Sequence, residues 1–336
     1  MKAMSEPPGS LNRIAAISAR TPSDRNLAEA KVIEANVAFY RQIAEKYDSY
    51  ETYLFDRVLQ QSLEDDLDKI GSYFVSLGRT PACLECGGGT GNLTLKMCAR
   101  GWAVTVVDVS DRMLGLLKEK ASAEGHSPAL IHSPIERYLE ATHEAYDLVA
   151  FSSVLHHLYS YVSVVERATK RLRSGGLFYS NYDPLAPKSP FWARAFATLD
   201  TTIAKALFDP ADVLPGIRRR LQKLLSRRDP EFGRAVVSAG DLAEFHVGTG
   251  VDDRQILKLL QARGFSIVEH QRFATGRTTV IRFLNERLRL LESFKMIARR
   301  DYDLASGPEF QDALSASPTT NASRKKLGLL NDEETF

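Results

Sequence analysis

Apolar positions recur at helical spacing from Asn26 to Tyr47, through Ala30, Ile33, Val37, Tyr40, Ile43, Ala44 and Tyr47. A second run of that period extends over 52–77, so the pattern predicts two helices at the N-terminal end. The Gly-Arg-Thr-Pro turn at 78–81 breaks the second helix. Beyond it, short apolar runs at 82–85, 103–108, 129–132, 147–152 and 176–180 alternate with amphipathic stretches at 92–100, 112–124, 135–141 and 160–172. Strands alternating with helices require parallel crossovers and a sheet covered on both faces. The rhythm stops after Pro184, and 185–250 holds helical stretches and proline breaks without a run suited to a parallel strand. It resumes with a helix over 252–263, a strand over 265–273 and a last strand predicted over 278–284.

Bulk composition narrows the class. The 336 residues are 44% hydrophobic and 26% charged, enough for one large core with appendages or two modest domains. The net charge of +2, from 44 basic and 42 acidic side chains, lacks the surplus that wholesale nucleic-acid binding needs, so no nucleic-acid partner is expected. Three cysteines oppose a disulfide-stapled secreted protein and fit a reducing, cytoplasmic setting. No run approaches the roughly 18 apolar residues of a membrane span. Residues 1–25 are polar and proline-bearing, carry no signal-peptide core and read as a disordered leader.

The sharpest motif is Glu85-Cys86-Gly87-Gly88-Gly89-Thr90-Gly91, set between a predicted strand and a predicted helix. Glycines there let the backbone turn tightly and approach a ligand, and the helix that follows offers free N–H groups to an anionic or polar group. The next strand ends in Asp108, where a ribose is held by its hydroxyls in nucleotide-binding sheets. The glycine spacing is not the dinucleotide one, because Asn92 and Thr94 stand where Gly-x-Gly-x-x-Gly would require its last glycine.

Glu85-x-Gly87-x-Gly89-x-Gly91 resembles the first motif of the class I S-adenosylmethionine-dependent methyltransferases. The resemblance continues through Asp108-Val-Ser-Asp-Arg-Met113-Leu114, Tyr146-Asp147-Leu-Val-Ala, Leu155-His156-His157-Leu158 and Leu172-Arg-Ser-Gly-Gly176. It implies an α/β fold, a Rossmann-like doubly wound sheet of seven strands with the last antiparallel. N-terminal helices and a helical insertion after strand five would form a cap. On that basis 1–25 is the leader, 26–78 the helical cap, 79–184 the cofactor-binding half and 185–250 the insertion or lid. Residues 251–300 would complete the sheet, and 301–336 form a loose tail. The cofactor implied is S-adenosyl-L-methionine. Gly87, Gly89 and Gly91 would line its methionine part, Glu85 would hold the ammonium group, and Asp108 the ribose hydroxyls. Val109 and Met113 would face the adenine, with Ser133, Pro134 and Ile135 at its edge. The acid that relatives often place near Ser133 is missing. Ser152 and Ser153 would pass beneath the methionine, and Tyr47 resembles a tyrosine that closes over the cofactor.

Methyl transfer from a sulfonium needs orientation and a dry site above all, and a base only when the acceptor arrives protonated. His156, His157 and, from the lid, His246 are the candidate catalytic groups; of the adjacent pair only one side chain readily faces the site. Tyr179, Tyr182 and Asp183 follow the fifth strand and are candidates for acceptor contact, with Asn181 between them. Cys83 and Cys86 point to opposite faces of a strand, so no metal is expected there. The stretch 216–228 is a basic amphipathic helix with three readings: a packed lid with a solvated basic face, contact with an anionic substrate, or peripheral docking on an anionic membrane. The reading carried forward is methyl transfer to a small-molecule or lipid acceptor, preferably at oxygen. Its rivals are a nicotinamide-dependent oxidoreductase and a non-catalytic cofactor-binding or interaction protein. The oligomeric state stays open.

Overall fold

The computed structural model describes residues 22–50, 56–185, 250–275, 279–288 and 290–301, and between them the positions 218, 222, 226, 229, 232, 236, 238–246 and 249. The expected leader up to residue 21, the basic helix at 216–228 apart from three single positions, and the tail from 302 lie outside the described residues.

Helix α1 (Pro22–Ile43) leads through a 3-10 turn (Ala44–Lys46) into the short α2 (Tyr47–Tyr50), and α3 (Arg57–Ser76) follows. The alternating part comprises β1 (Ala82–Cys86), α4 (Asn92–Ala99), β2 (Ala103–Asp108), α5 (Asp111–Ala123), β3 (Ala129–His132), α6 (Ile135–Ala141), β4 (Tyr146–Ser152), α7 (Tyr161–Thr169) and β5 (Leu172–Pro184). Then come α8 (Ala239–Ala243), α9 (Asp253–Ala262), β6 (Phe265–Phe273), α10 (Thr279–Arg287) and β7 (Ser293–Arg300). The sheet order is β3-β2-β1-β4-β5-β7-β6. The first five strands run parallel, and β7 is antiparallel to both of its neighbours, β5 and β6. This is the doubly wound, seven-stranded sheet with a reversed last strand that the motifs imply.

Successive residues of each strand feed opposite layers. Leu84, Cys86, Val149, Phe151 and Phe178 pack with α7 and α9 on one face. Cys83, Leu148, Ala150 and Tyr179 pack on the other face, against Leu63, Leu67, Ile70 and Phe74 of α3 and against Met97 and Leu117. Those α3 residues recur every three or four positions, and the helix is capped by Asp56, whose carboxylate accepts from Val58 N at 3.0 Å. A smaller layer joins Ala28 and Val32 of α1 to Tyr159, Phe232 and Phe245, so residues on either side of α8 return onto the N-terminal helix.

Two elements depart from the pattern reading. The strand expected over 278–284 is helix α10, and the last strand is Ser293–Arg300. In α10 the inward positions are polar: Arg282 pairs with Asp56, while Asn285 donates to the Thr275 carbonyl at 2.8 Å. Phe283 and Leu284 point outward, so the hydrophobic pattern is inverted. In β7 the charged Lys295 interrupts an otherwise buried strand, with Nζ 2.6 Å from Asp66 and 2.9 Å from Glu269. The second departure is the stripe of α1. Its buried positions are Ala28, Val32, Ala35 and Asn36, whereas Ala30 is exposed and Ile33, Val37 and Tyr40 are only partly buried.

The Asp66–Lys295 pair ties α3 to the far half of the sheet, and the Tyr179 phenol donates to the same carboxylate at 3.0 Å. Burial raises the Asp66 pKa, while Lys295 is raised by its two carboxylates. Removing one member of a buried pair strands the other. We expect Asp66→Ala to cost about 2–4 kcal/mol in urea unfolding, with Glu269 retaining part of the lysine's stabilisation. Asp66→Leu combined with Lys295→Met should recover most of that loss. A single variant within about 0.5 kcal/mol of the parent would show that Glu269 suffices alone.

Candidate functional site

The glycine loop after β1 is shaped by two different demands. At Gly87, Gly88 and Gly91 a Cβ would meet Val154 at 2.6 Å, Val106 at 2.2 Å and Leu117 at 2.2 Å, so packing excludes a side chain there. Gly89 differs: its φ is +52°, and a Cβ built on it meets nothing within 4 Å. The space above Gly89 is therefore left open by the protein, a cradle that a side chain would fill. Gly91, expected against the methionine part, instead takes the left-handed N-cap position of α4 under Leu117 and does not line the cavity.

Two buried carboxylates flank this cradle. Asp108, at the tip of β2, accepts from Gly89 N through Oδ2 and from Ser110 N through Oδ1, each at 2.8 Å. Burial raises its pKa and these N–H groups oppose the rise. Glu85, in β1, accepts from Thr94 Oγ1 at 2.5 Å, and burial pushes its carboxyl up to about 7.

The cavity around the cradle brings together most of the residues expected from the motifs. Tyr47, Glu85, Gly87, Gly89, Asp108 and Val109 line it, as do Met113, Ile135 and Ser152. Ser133 does not: its hydroxyl turns to the Pro134 carbonyl at 3.0 Å, leaving Pro134 on the wall. The acid missing near Ser133 has a counterpart one turn on. Glu136 is buried, lines the cavity at that end and has its pKa raised by burial. Its position inside α6 hid it, because helical glutamates are ordinarily solvated.

The histidines separate as the backbone requires. His157 lines the cavity, and His156 does not. His156 is tucked beneath, with Nδ1 2.8 Å from Asp183 Oδ1, and burial pushes its imidazole down to about 3 and Asp183 up to about 7. His157 has Nδ1 3.0 Å from the Ala243 carbonyl and Nε2 2.9 Å from the Tyr40 hydroxyl. Burial first, then the neighbouring His156 ring, hold its pKa well below the ordinary 6.5, so it is neutral at pH 7. His246 stays outside the cavity: its ring packs edge-on against Tyr161 and Phe245, and its backbone N donates to the His156 carbonyl at 2.6 Å.

The residues expected for acceptor contact after β5 also lie elsewhere. Tyr179 points into the α3 layer and donates to Asp66. The register shift between Asn181 and Asp183 leaves Tyr182 with φ +65°, its hydroxyl donating to the Leu59 carbonyl. Asp183 is fully buried on His156. What the pattern missed is the wall supplied by α1, namely Val32, Ile33, Asn36 and Tyr40. The end of α1 and the turn after it are clipped to α5 by Arg41–Asp111 at 3.5 Å, Glu45–Arg112, and Asp48–Lys120 at 2.5 Å, while Thr90 of the glycine loop donates to Asp48 at 2.6 Å.

Among the described residues no group of three or more His, Cys, Asp or Glu is placed to hold a metal ion, and no helix is long and apolar enough to cross a membrane.

Comparison with known proteins agrees with this geometry. Residues 84–180 match the family model of the methyltransferase domain. The tRNA 5-carboxymethoxyuridine methyltransferase of Escherichia coli (strain K12) is 29% identical over 145 residues, 41% of this chain and 53% of that protein. The ubiquinone biosynthesis O-methyltransferase of Nitrosomonas europaea is 30% identical over 115 residues, 34% of this chain and 48% of that protein. The chain thus spans about half the length of the curated relatives it matches. Among solved structures, magnesium protoporphyrin IX methyltransferase from Synechocystis PCC 6803 with bound SAM aligns over 79% of this chain and 97% of that one, at 15% identity and a TM-score of 0.44. Residues 84–180, from β1 to β5, thus match a methyltransferase domain, and the glycine loop, the acid at the tip of β2 and the reversed seventh strand are consistent with the class I S-adenosylmethionine-dependent family.

Proposed function

We propose that this protein holds S-adenosylmethionine over Gly89 and directs its methyl group to an oxygen of a small-molecule or lipid acceptor. The observation that carries the reading is the open cradle at Gly89, set between the carboxylates of Glu85 and Asp108. Asp108 would take the ribose hydroxyls, Glu85 the ammonium group, and Val109, Met113 and Ile135 the adenine, with Glu136 at its edge. The cofactor brings an activated methyl group on a sulfonium, so the chain's own work is to orient, to exclude water and to hold a proton. His157, neutral and held between the Ala243 carbonyl and the Tyr40 hydroxyl, would be an uncharged polar group orienting the acceptor.

The tRNA acceptor named for one relative is a separate reading, tested by the same assay with tRNA as acceptor. A net charge of +2 over the whole chain favours the small acceptor.

Calorimetry should find S-adenosylhomocysteine bound in the micromolar range, roughly −8 kcal/mol. Asp108→Ala is expected to weaken that by at least about tenfold, since two hydroxyls lose a charged partner. Gly89→Val should abolish binding while costing only about 1–2 kcal/mol of stability from its left-handed backbone. Normal affinity in either variant would remove the cradle from the argument. Tight cofactor binding without label transfer to phenols, alcohols, amines or tRNA would favour a non-catalytic protein.

The Glu85 carboxyl gives a pH prediction whose sign is set by its upward shift from 4.5 to about 7. Below neutrality it is largely protonated, and an ammonium group placed against it favours the ionised form, so binding expels a proton. Affinity for S-adenosylhomocysteine should therefore rise as pH increases toward about 7 and level off above it. At about pH 6, calorimetry in buffers of different ionisation enthalpy should record release of nearly one proton, and Glu85→Gln should remove it. An affinity that is flat across this range would detach Glu85 from the ammonium.

A further inference from the structure

The α1 wall of the cavity contains a polar atom with nothing to bind. Asn36 is 7% exposed and lines the cavity, yet among the described residues its Oδ1 has no hydrogen-bond partner. The amide cannot simply be turned over. Its Nδ2 donates to the Val32 carbonyl at 2.9 Å and to the His157 carbonyl at 3.2 Å, and the reversed orientation would set an oxygen against two oxygens. A buried amide oxygen left unpaired is costly, and a ligand hydrogen would relieve that cost. One turn along the same face, the Tyr40 hydroxyl meets Nε2 of His157. Because Nδ1 of His157 faces a carbonyl, Nδ1 carries the ring proton and Nε2 accepts from Tyr40.

The charges on the wall are one-sided. Among the described residues lining the cavity the charged side chains are Glu85, Asp108 and Glu136, with no lysine or arginine. A carboxylate or phosphate would meet no counter-charge among these residues and would bring no hydrogen to Asn36. Around the amide the wall is apolar, with Val32, Ile33, Val154 and Leu158.

We infer that Asn36 Oδ1, beside the Tyr40–His157 pair, is a recognition point for the hydroxyl of an uncharged acceptor with an apolar body, and that it selects a hydrogen-bearing oxygen over a carboxylate. This rests on the methyltransferase reading and adds the class of acceptor. Asn36 and Tyr40 are acceptor-positioning residues contributed by the N-terminal helix, outside the methyltransferase-domain match at 84–180.

The test uses the full chain saturated with S-adenosylhomocysteine and three probes of one size: phenol, anisole and benzoate. Ligand-observed magnetic resonance should find phenol bound roughly tenfold more tightly than either of the others, the worth of one buried hydrogen bond. Asn36→Leu should erase that preference while S-adenosylhomocysteine affinity stays within about twofold of the parent. If Asn36→Leu fails to fold, the Asn36 side-chain amide of nitrogen-labelled parent protein supplies the measurement, shifting with phenol and not with anisole. Equal binding of phenol and benzoate, exclusion of all three probes, an unmoved Asn36 amide, or a preference that survives Asn36→Leu would each overturn the inference. Failure of the parent to bind S-adenosylhomocysteine would instead strike the cofactor reading, and this inference with it.

Discussion

The site depends on the carboxylate of Asp108, which fastens the tip of β2 to the glycine loop that follows β1. Each of its oxygens accepts one backbone N–H, from Gly89 and from Ser110. An ionised carboxylate offers about four lone-pair positions, so even with the Val109 N–H also turned toward it, capacity would remain for a ligand hydroxyl. The same group therefore fixes the loop and keeps capacity for a ligand. Its burial would be expensive without those two N–H donors, and the loop would lose its anchor without the carboxylate. Gly89 can supply its N–H at close range because nothing but backbone stands at that position.

Above this rigid floor the roof is held more weakly. α1 and α2 meet α5 through ion pairs whose side chains are between about a third and two-thirds exposed. Exposed pairs contribute little individually and are screened by salt, typically about 0–1 kcal/mol each. The apolar contact of Ala28 and Val32 with Tyr159 and Phe245 anchors the other end of α1. A roof fastened firmly at one end and loosely at the other suits a site that must admit a cofactor and an acceptor and then exclude water.

How far the sequence could be read follows from this division. The floor was legible because its constraints are local: a glycine loop, an acid at a strand tip and a strand–helix rhythm all lie within short windows. Even there, three of the four loop glycines proved to answer packing, and only at Gly89 do the described residues leave open space. The roof was expected as a cap of N-terminal helices with Tyr47, but its other wall residues were not, because Asn36 and Tyr40 acquire meaning only once α1 is packed along the cavity. Tyr40 was counted with the apolar stripe of its helix, and Asn36 lies outside that stripe. α10 and β7 escaped the pattern for a related reason, since tertiary ion pairs through Arg282 and Lys295 override hydrophobic periodicity. Tyr182 and Asp183 were expected beyond a strand ending at 180, but β5 runs on to Pro184 through a bulge that turns them away from the cavity.

The two adjacent histidines show how one local turn can serve both layers. The 3-10 turn at Leu155–His157 places consecutive rings 3.8 Å apart between centroids but sends them to different partners. His156 is spent on Asp183, a contact that joins the end of β5 to the turn after β4. His157 is left on the cavity wall with its tautomer set by Ala243, a residue of the returning helix α8. A second cation beside it would be opposed by burial and by the first ring, so the pair stays neutral. On the proposed acceptor side the cavity thus offers a neutral imidazole and an amide oxygen without a partner among the described residues, and the two flanking carboxylates would be left to the cofactor. Such a surface can discriminate by the presence of a hydrogen on the ligand, and among the described residues no cation faces it.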